Sequence, residues 1–263
     1  MKKRVIICGY PKSGNTWLTR LTAQILSCPV AGFWSEPFNR EEAIEGTNRI
    51  SEFECFKAHQ KRDDLEHSLK INGNGAEKVI YVYRDPRAVA VSASHYFLLP
   101  KYRKIYSLLE QMPKGSSFYH KFLHSTSHSL DRIVEGMIQG TNEGAWLGEP
   151  WLKHVKSYIH RSDTLVLSYE ALSRDPMSAA KQIAAFLSVN RSEKELEEAI
   201  HKQSFERKKK TFESDSNIRK ASFLRKGEPQ AWRTELPRHH IRYIENNAGE
   251  LMTNLGFQLI SKS

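Results

Sequence analysis

Val5-Ile6-Ile7-Cys8-Gly9, running straight into Tyr10-Pro11-Lys12-Ser13-Gly14-Asn15-Thr16-Trp17, decides the fold. The short apolar, largely β-branched run before Gly9 reads as a buried strand. From Asn15 to Ser27, Trp17, Leu18, Leu21 and Ile25 recur at helical spacing. Between strand and helix lies a glycine-containing turn with a lysine and hydroxyls at the helix start. This arrangement cradles phosphates, because backbone N–H groups and the positive helix end face the anion while the lysine adds a full charge. The order differs from the GxxxxGK[ST] loop of nucleoside triphosphatases, since Lys12 precedes Ser13 and Gly14.

Working outward, Phe53-Glu54-Cys55-Phe56-Lys57, Lys78-Val79-Ile80-Tyr81-Val82-Tyr83 and Thr164-Leu165-Val166-Leu167-Ser168 read as further strands. Helices are predicted over 86–97, 118–138, 151–160, 176–188, 192–202 and 238–254. Asp175-Pro176 marks one start, with the aspartate at the cap and proline at the first helical position. Strands alternating with helices imply an α/β fold in three layers, a central, mainly parallel β-sheet flanked by helices. Ligands of such sheets bind beyond the carboxyl ends of the strands. The 263 residues suit a single domain, 1–263, with a sizeable core.

Lys and Arg outnumber Asp and Glu by 40 to 30, a net charge of +10 that suits an anionic ligand, an acidic substrate or nucleic acid. Cys8, Cys28 and Cys55 lack CxxC spacing, so neither a disulfide framework nor a zinc site is expected. The apolar run Val5–Cys8 is too short for the core of a signal peptide. No stretch approaches the roughly 18 apolar residues of a membrane span, and a cytoplasmic protein is expected.

Tyr10 to Trp17 resembles the 5′-phosphosulfate loop of the cytosolic sulfotransferases, whose usual form is YPKSGTTW. Asn15 alone departs from it. That family has a P-loop-type fold and uses 3′-phosphoadenosine 5′-phosphosulfate (PAPS) as donor, releasing 3′-phosphoadenosine 5′-phosphate (PAP). The resemblance makes Lys12, Ser13, Gly14, Asn15, Thr16 and Trp17 cofactor residues, with Trp17 stacking on the base. Tyr83-Arg84-Asp85-Pro86-Arg87 and Val89-Ala90-Val91-Ser92 are similar to the 3′-phosphate signature RNPKDVAVS, which assigns Arg84 and Ser92 to that phosphate. Phe223-Leu224-Arg225-Lys226-Gly227 resembles the FMRKG segment that closes over the same group. The family's continuation GxxGDWKN is replaced by Glu228-Pro229-Gln230-Ala231-Trp232-Arg233. Tyr169-Glu170 looks like the family's YE pair, whose tyrosine contacts adenine. Ser204-Phe205-Glu206 resembles the SFE segment of the adenine pocket.

The strand ending in Phe56-Lys57-Ala58-His59 puts Lys57 and His59 on one face, because alternate strand residues share a side. Sulfuryl transfer, like phosphoryl transfer, needs in-line placement and neutralisation of charge on the leaving group. A histidine can take the acceptor's proton, and lysines can stabilise the departing phosphate. The family carries KxH at this point in the chain, which implies His59 as base, Lys57 as its assistant and Lys12 at the bridging oxygen. No metal is implied.

Between Tyr96 and Trp151 the aromatics Phe97, Tyr102, Tyr106, Phe118, Tyr119, Phe122 and Trp146 suit an acceptor pocket and core packing equally. Trp151-Leu152-Lys153-His154-Val155 resembles the family's WxxHV, where common scaffold resumes. The expected acceptor is a small molecule or glycan bearing a hydroxyl or amine. The family's dimer motif KxxxTV is absent after Trp232, so a homodimer by that route is not supported. Beside an inactive relative that binds the nucleotide but transfers nothing, two rival readings remain at this level. One is a P-loop kinase, with Asp85 as magnesium ligand. The other is a basic nucleic-acid-binding protein without catalysis.

Overall fold

A strand that lends both edges to parallel partners must be apolar on both faces, and β1 (Lys3–Gly9) meets that demand. The computed structural model describes residues 2–35, 44–97, 129–140, 148–204, 207 and 228–261. Among them a five-stranded sheet has the order β2-β3-β1-β4-β5, with β2 at Val30–Phe33, β3 at Phe53–Ala58, β4 at Lys78–Tyr83 and β5 at Thr164–Ser168. Every pairing is parallel. The register sets Cys8 beside both Ala58 and Tyr81, and Gly9 beside Val82, so the carboxyl ends of β1, β3 and β4 finish together.

The described residues divide into two compact units. The first, Met1–Arg84 with Lys153–Pro229, contains the whole sheet. Val5 and Ile7 face a core shared with Leu18, Leu21 and Ile25 of α1 (Asn15–Ile25), Ile183 of α7 (Pro176–Phe186) and Leu196 of α8 (Glu193–Lys202). Ile6 and Cys8 face the opposite core, with Leu65 of α2 (Arg62–Asn72), Tyr81 and Tyr158. This two-sided burial gives the three layers expected from the sequence. Helix starts follow local chemistry. Asp175 accepts from Ser178 N at 2.9 Å with Pro176 behind it, and Ser192 with Glu195 closes a capping box before α8.

Four elements escaped the sequence reading, the four-residue helix Trp232–Glu235 and three others. β2 is a four-residue strand containing Gly32, and its register with β3 shifts between Val30 and Gly32, so it carries no clear alternation. Helix α2 is polar, with only Arg62, Leu65 and Ser68 buried. Helix α6 (Tyr169–Arg174) is a bare turn and a half, capped by Ser168 Oγ accepting from Ala171 N at 3.0 Å. The short α5 (Trp151–Lys156) ends sooner than expected.

The second unit, Asp85–Leu152 with Gln230–Ser263, holds α3 (Pro86–Phe97), α4 (Ser129–Gln139), α9 (Trp232–Glu235) and α10 (Arg238–Asn254). The predicted helix 118–138 is seen only from Ser129, its earlier part lying outside the described residues. Buried Arg87 organises this unit. Its Nε donates to Asp85 Oδ1 at 3.0 Å, its Nη2 to Asp85 Oδ2 at 2.7 Å and its Nη1 to Glu245, while its guanidinium lies 3.7 Å from the Trp232 ring centroid. Two carboxylates buried around one arginine are stable only while it is present. Arg87→Leu is therefore expected to cost about 3–5 kcal/mol of unfolding free energy by urea denaturation. A loss typical of a surface pair, under ~1 kcal/mol, would contradict this role.

Candidate active site

The candidate site lies at the carboxyl ends of β1, β3, β4 and β5, wholly within the first unit. After β1 the backbone turns through a left-handed Lys12 (φ 71) and Gly14 (φ 101), with Ser13 N donating to Tyr10 O at 3.1 Å. Gly14 caps α1, whose first turn has neither a side-chain cap nor an acidic residue. Its leading N–H groups and positive dipole end are thus left to an external anion. Gly14 has no room for a side chain, since an added Cβ would sit 2.5 Å from Cδ2 of Tyr169. Ser13 Oγ is fully buried and has no hydrogen-bond partner among the described residues, which suits a ligand oxygen.

Three cations converge here: Lys12, Lys57 and Arg84. Arg84 donates from Nη1 to Lys12 O at 3.2 Å, and its guanidinium stands 4.1 Å from the Tyr169 ring centroid. Lys57 Nζ donates to Thr16 Oγ1 at 3.0 Å and lies 4.8 Å from the Phe33 ring centroid. Burial, then the charges of Lys57 and Arg84, lowers the Lys12 pKa from 10.5 to about 7. An anion bound beside Lys12 would favour its charged form. Trp17 meets Tyr169 edge-on at 5.8 Å, giving the loop an aromatic wall.

His59 follows directly on β3. Its Nδ1 lies 2.9 Å from Gly9 O, and a carbonyl only accepts, so Nδ1 carries the proton and Nε2 is the basic atom of the neutral ring. Burial first, then Lys57, holds its pKa well below the usual 6.5, although the bond to Gly9 opposes this. The imidazole is neutral at physiological pH. Helix α5 grips the same segment, with His154 Nε2 donating to His59 O at 3.1 Å and Tyr81 OH to His154 Nδ1 at 2.8 Å. Tyr158 OH donates to Gln60 O at 2.8 Å and stacks on Tyr81 with centroids 4.1 Å apart. Sequence reasoning missed these supports. His154 stands out only within the WxxHV match, and the two tyrosines sit at positions that read as core.

The structure brings together Lys12, Ser13, Gly14, Thr16, Trp17, Lys57, His59, Arg84 and Tyr169. The amide of Asn15 faces the strands, Nδ2 donating to Gly9 O at 2.9 Å and Ala58 O at 3.1 Å, so its side-chain nitrogen is committed to the scaffold. Ser204 sits just past α8, its Oγ accepting from Arg207 N at 3.4 Å. Ser92 is carried by α3 in the second unit. Phe205 and Phe223-Leu224-Arg225-Lys226-Gly227 lie outside the described residues, as does most of the aromatic segment between Tyr96 and Trp151. Asp85, the magnesium candidate of the kinase reading, is instead committed to Arg87 through both carboxylate oxygens.

With this geometry in view, the relatives are informative. The family described as the sulfotransferase domain matches residues 2–256, and the chain belongs to it: the protein is a sulfotransferase. It is 26% identical over 265 residues to an amine sulfotransferase of Oryctolagus cuniculus, covering 90% of this chain and 75% of that one. It is 27% identical over 248 residues to sulfotransferase 2A1 of Homo sapiens, covering 87% and 77%. Its fold is that of the mouse sulfotransferase SULT7A1 complexed with PAP, with TM-score 0.65, 21% identity, and 97% and 86% of the two chains covered. Retinol dehydratase in complex with androsterone and inactive cofactor PAP is similar too, with TM-score 0.61, 19% identity, and 96% and 81% covered.

Two outcomes follow from this geometry. Gly14→Ala must strain a left-handed backbone and displace Tyr169, so its urea midpoint is expected to fall by the equivalent of at least ~1 kcal/mol. An unchanged midpoint would refute the packing. Lys12 has a folded pKa below its unfolded value, so the unfolded chain binds its proton more tightly and free-protein stability from this group rises between about pH 7 and pH 10.5. Lys12→Met should abolish that rise in a series of denaturation curves, and a parallel rise in both proteins would show that Lys12 is not depressed.

Proposed function

We propose that the protein, acting as one domain over residues 1–263, moves the sulfuryl group of PAPS onto a hydroxyl or amine of a small-molecule or glycan acceptor. The observation that carries this is the union, in one unit, of a phosphate loop lined by three cations with a neutral histidine whose basic nitrogen is fixed. PAPS supplies an activated sulfuryl group on a phosphate leaving group. Main-chain N–H groups at the start of α1, with Ser13 and Thr16, bind the 5′-phosphate oxygens. Lys12 holds the bridging oxygen and meets the charge that collects there. Arg84 offers a planar fork to the 3′-phosphate, and motif resemblance adds Ser92 and the clamp Arg225-Lys226-Gly227. Trp17 and Tyr169 form the aromatic wall for the base.

His59 Nε2 accepts the acceptor's proton as the acceptor oxygen or nitrogen bonds to sulfur. The sulfur–oxygen bond to the phosphate breaks in line, and its electron pair stays on the phosphate oxygen beside Lys12. Lys57, held by Thr16, adds positive charge next to the transferring group. Calorimetry with PAP, without magnesium, tests the donor site. Tight binding is expected, weakened roughly 10–100-fold in Lys12→Ala and Arg84→Ala, each of which removes a charge-assisted contact. At pH 8 wild-type binding should take up protons, because a phosphate beside Lys12 restores its charge, and Lys12→Ala should lose most of that uptake. Absence of PAP binding, with ATP bound only in magnesium, would replace this reading with that of a kinase.

A further inference from the structure

We infer that Asn15 is a positioning residue for the base: its side-chain amide ties the ends of β1 and β3 and so fixes His59 with its proton on Nδ1 and its basic atom at Nε2. The inference rests on the reading of His59 as base and deepens it.

The geometry leaves little freedom. Asn15 is 2% exposed and opens α1, where it looks onto the two strand ends. A primary amide nitrogen has two hydrogens, and both are spent, one on Gly9 O at 2.9 Å and the other on Ala58 O at 3.1 Å. Gly9 O therefore accepts twice, from Asn15 Nδ2 and from His59 Nδ1 at 2.9 Å. The 3.3 Å approach of Asn15 Nδ2 to His59 Nδ1 is then a contact of two donors sharing one oxygen. In the other tautomer, the bare Nδ1 would face the Gly9 oxygen at 2.9 Å, lone pair against lone pair. Ala58 is the residue before His59, so the same amide sets both the oxygen that chooses the tautomer and the backbone that carries the ring. Gly9 makes this reach possible, because a Cβ there would stand 3.0 Å from Asn15 Nδ2 and 2.4 Å from Val82 O. A threonine, the residue of the family's usual loop form, has a single donor hydrogen and can hold one of the two carbonyls but not both.

Among the described residues, the charged and titratable groups that act on His59 are Lys57 on β3, Lys12 on the loop and His154 on α5. All of them disfavour protonation of the ring, and none chooses between its nitrogens. That choice is left to Gly9 O and to the amide that aligns it.

The test uses the full chain with ¹⁵N-labelled histidine and long-range ¹H–¹⁵N spectra, beside PAP affinity and steady-state transfer from PAPS to the best acceptor in a panel of phenol, aliphatic alcohol and primary amine. Wild type is expected to show His59 protonated at Nδ1. Asn15→Ala should show mixed tautomers and a kcat lower by about 10–100-fold, the scale of a displaced catalytic group. PAP affinity should stay within about threefold, and Asn15→Thr should fall between the two. Wild-type His59 protonated at Nε2 would overturn the inference, as would an unchanged tautomer and kcat in Asn15→Ala. If Asn15→Ala does not fold, the wild-type tautomer and Asn15→Thr decide the matter. Full activity in His59→Ala would instead sink the base reading, while leaving the tautomer result to stand.

Discussion

Parallel pairing of β1 with β3 on one edge and β4 on the other is the constraint from which the site follows. It sets Cys8 beside Ala58 and Tyr81 and leaves Gly9, His59 and Arg84 emerging from the same end of the sheet. Parallel strands all deliver their carboxyl ends to one side, where helix starts with free N–H groups also collect. The loop after β1 turns into α1, the end of β3 presents Lys57 and His59, the end of β4 supplies Arg84, and β5 hands on to Tyr169. No single element is functional alone. Their convergence is a property of sheet order.

Within that frame, electrostatics sorts the residues by role. Burial first, and then the neighbouring charges of Lys57 and Arg84, lowers the pKa of Lys12. Burial first, then Lys57 and after it His154 and Lys12, holds the His59 pKa well below its ordinary value. An anion entering the loop opposes the first shift. The second persists as long as the ring stays buried beside Lys57. On the proposed reading, placing the cations serves both halves of the reaction, the binding of a phosphate leaving group and the readiness of the proton acceptor.

The loop, the strands β1, β3, β4 and β5, and the candidates Lys12, Lys57, His59, Arg84 and Tyr169 were legible in the sequence because each sits in a compact local pattern. A strand–turn–helix corner needs its glycine, lysine and hydroxyls within eight residues, and a strand end shows itself by where the apolar run stops. Asn15 was legible only as a member of the loop. Its partners, the Gly9 and Ala58 carbonyls, are backbone atoms brought to it by folding, and one of them is 43 residues away. His154, Tyr81 and Tyr158 were hidden for the same reason, since a polar atom buried among apolar neighbours looks like core until its distant partner is known. β2 lacked a pattern altogether, being short, glycine-broken and shifted in register.

The most direct test of the account is single-turnover transfer from ³⁵S-labelled PAPS in the presence of EDTA, followed from pH 5 to pH 9 in wild type and His59→Ala. The account predicts transfer by wild type that stays high well below pH 6.5, the ordinary histidine value, because the folded protein holds His59 unprotonated, and near-complete loss in the variant. Transfer by His59→Ala at the wild-type rate would contradict it, and so would a wild-type acid limb centred at or above pH 6.5.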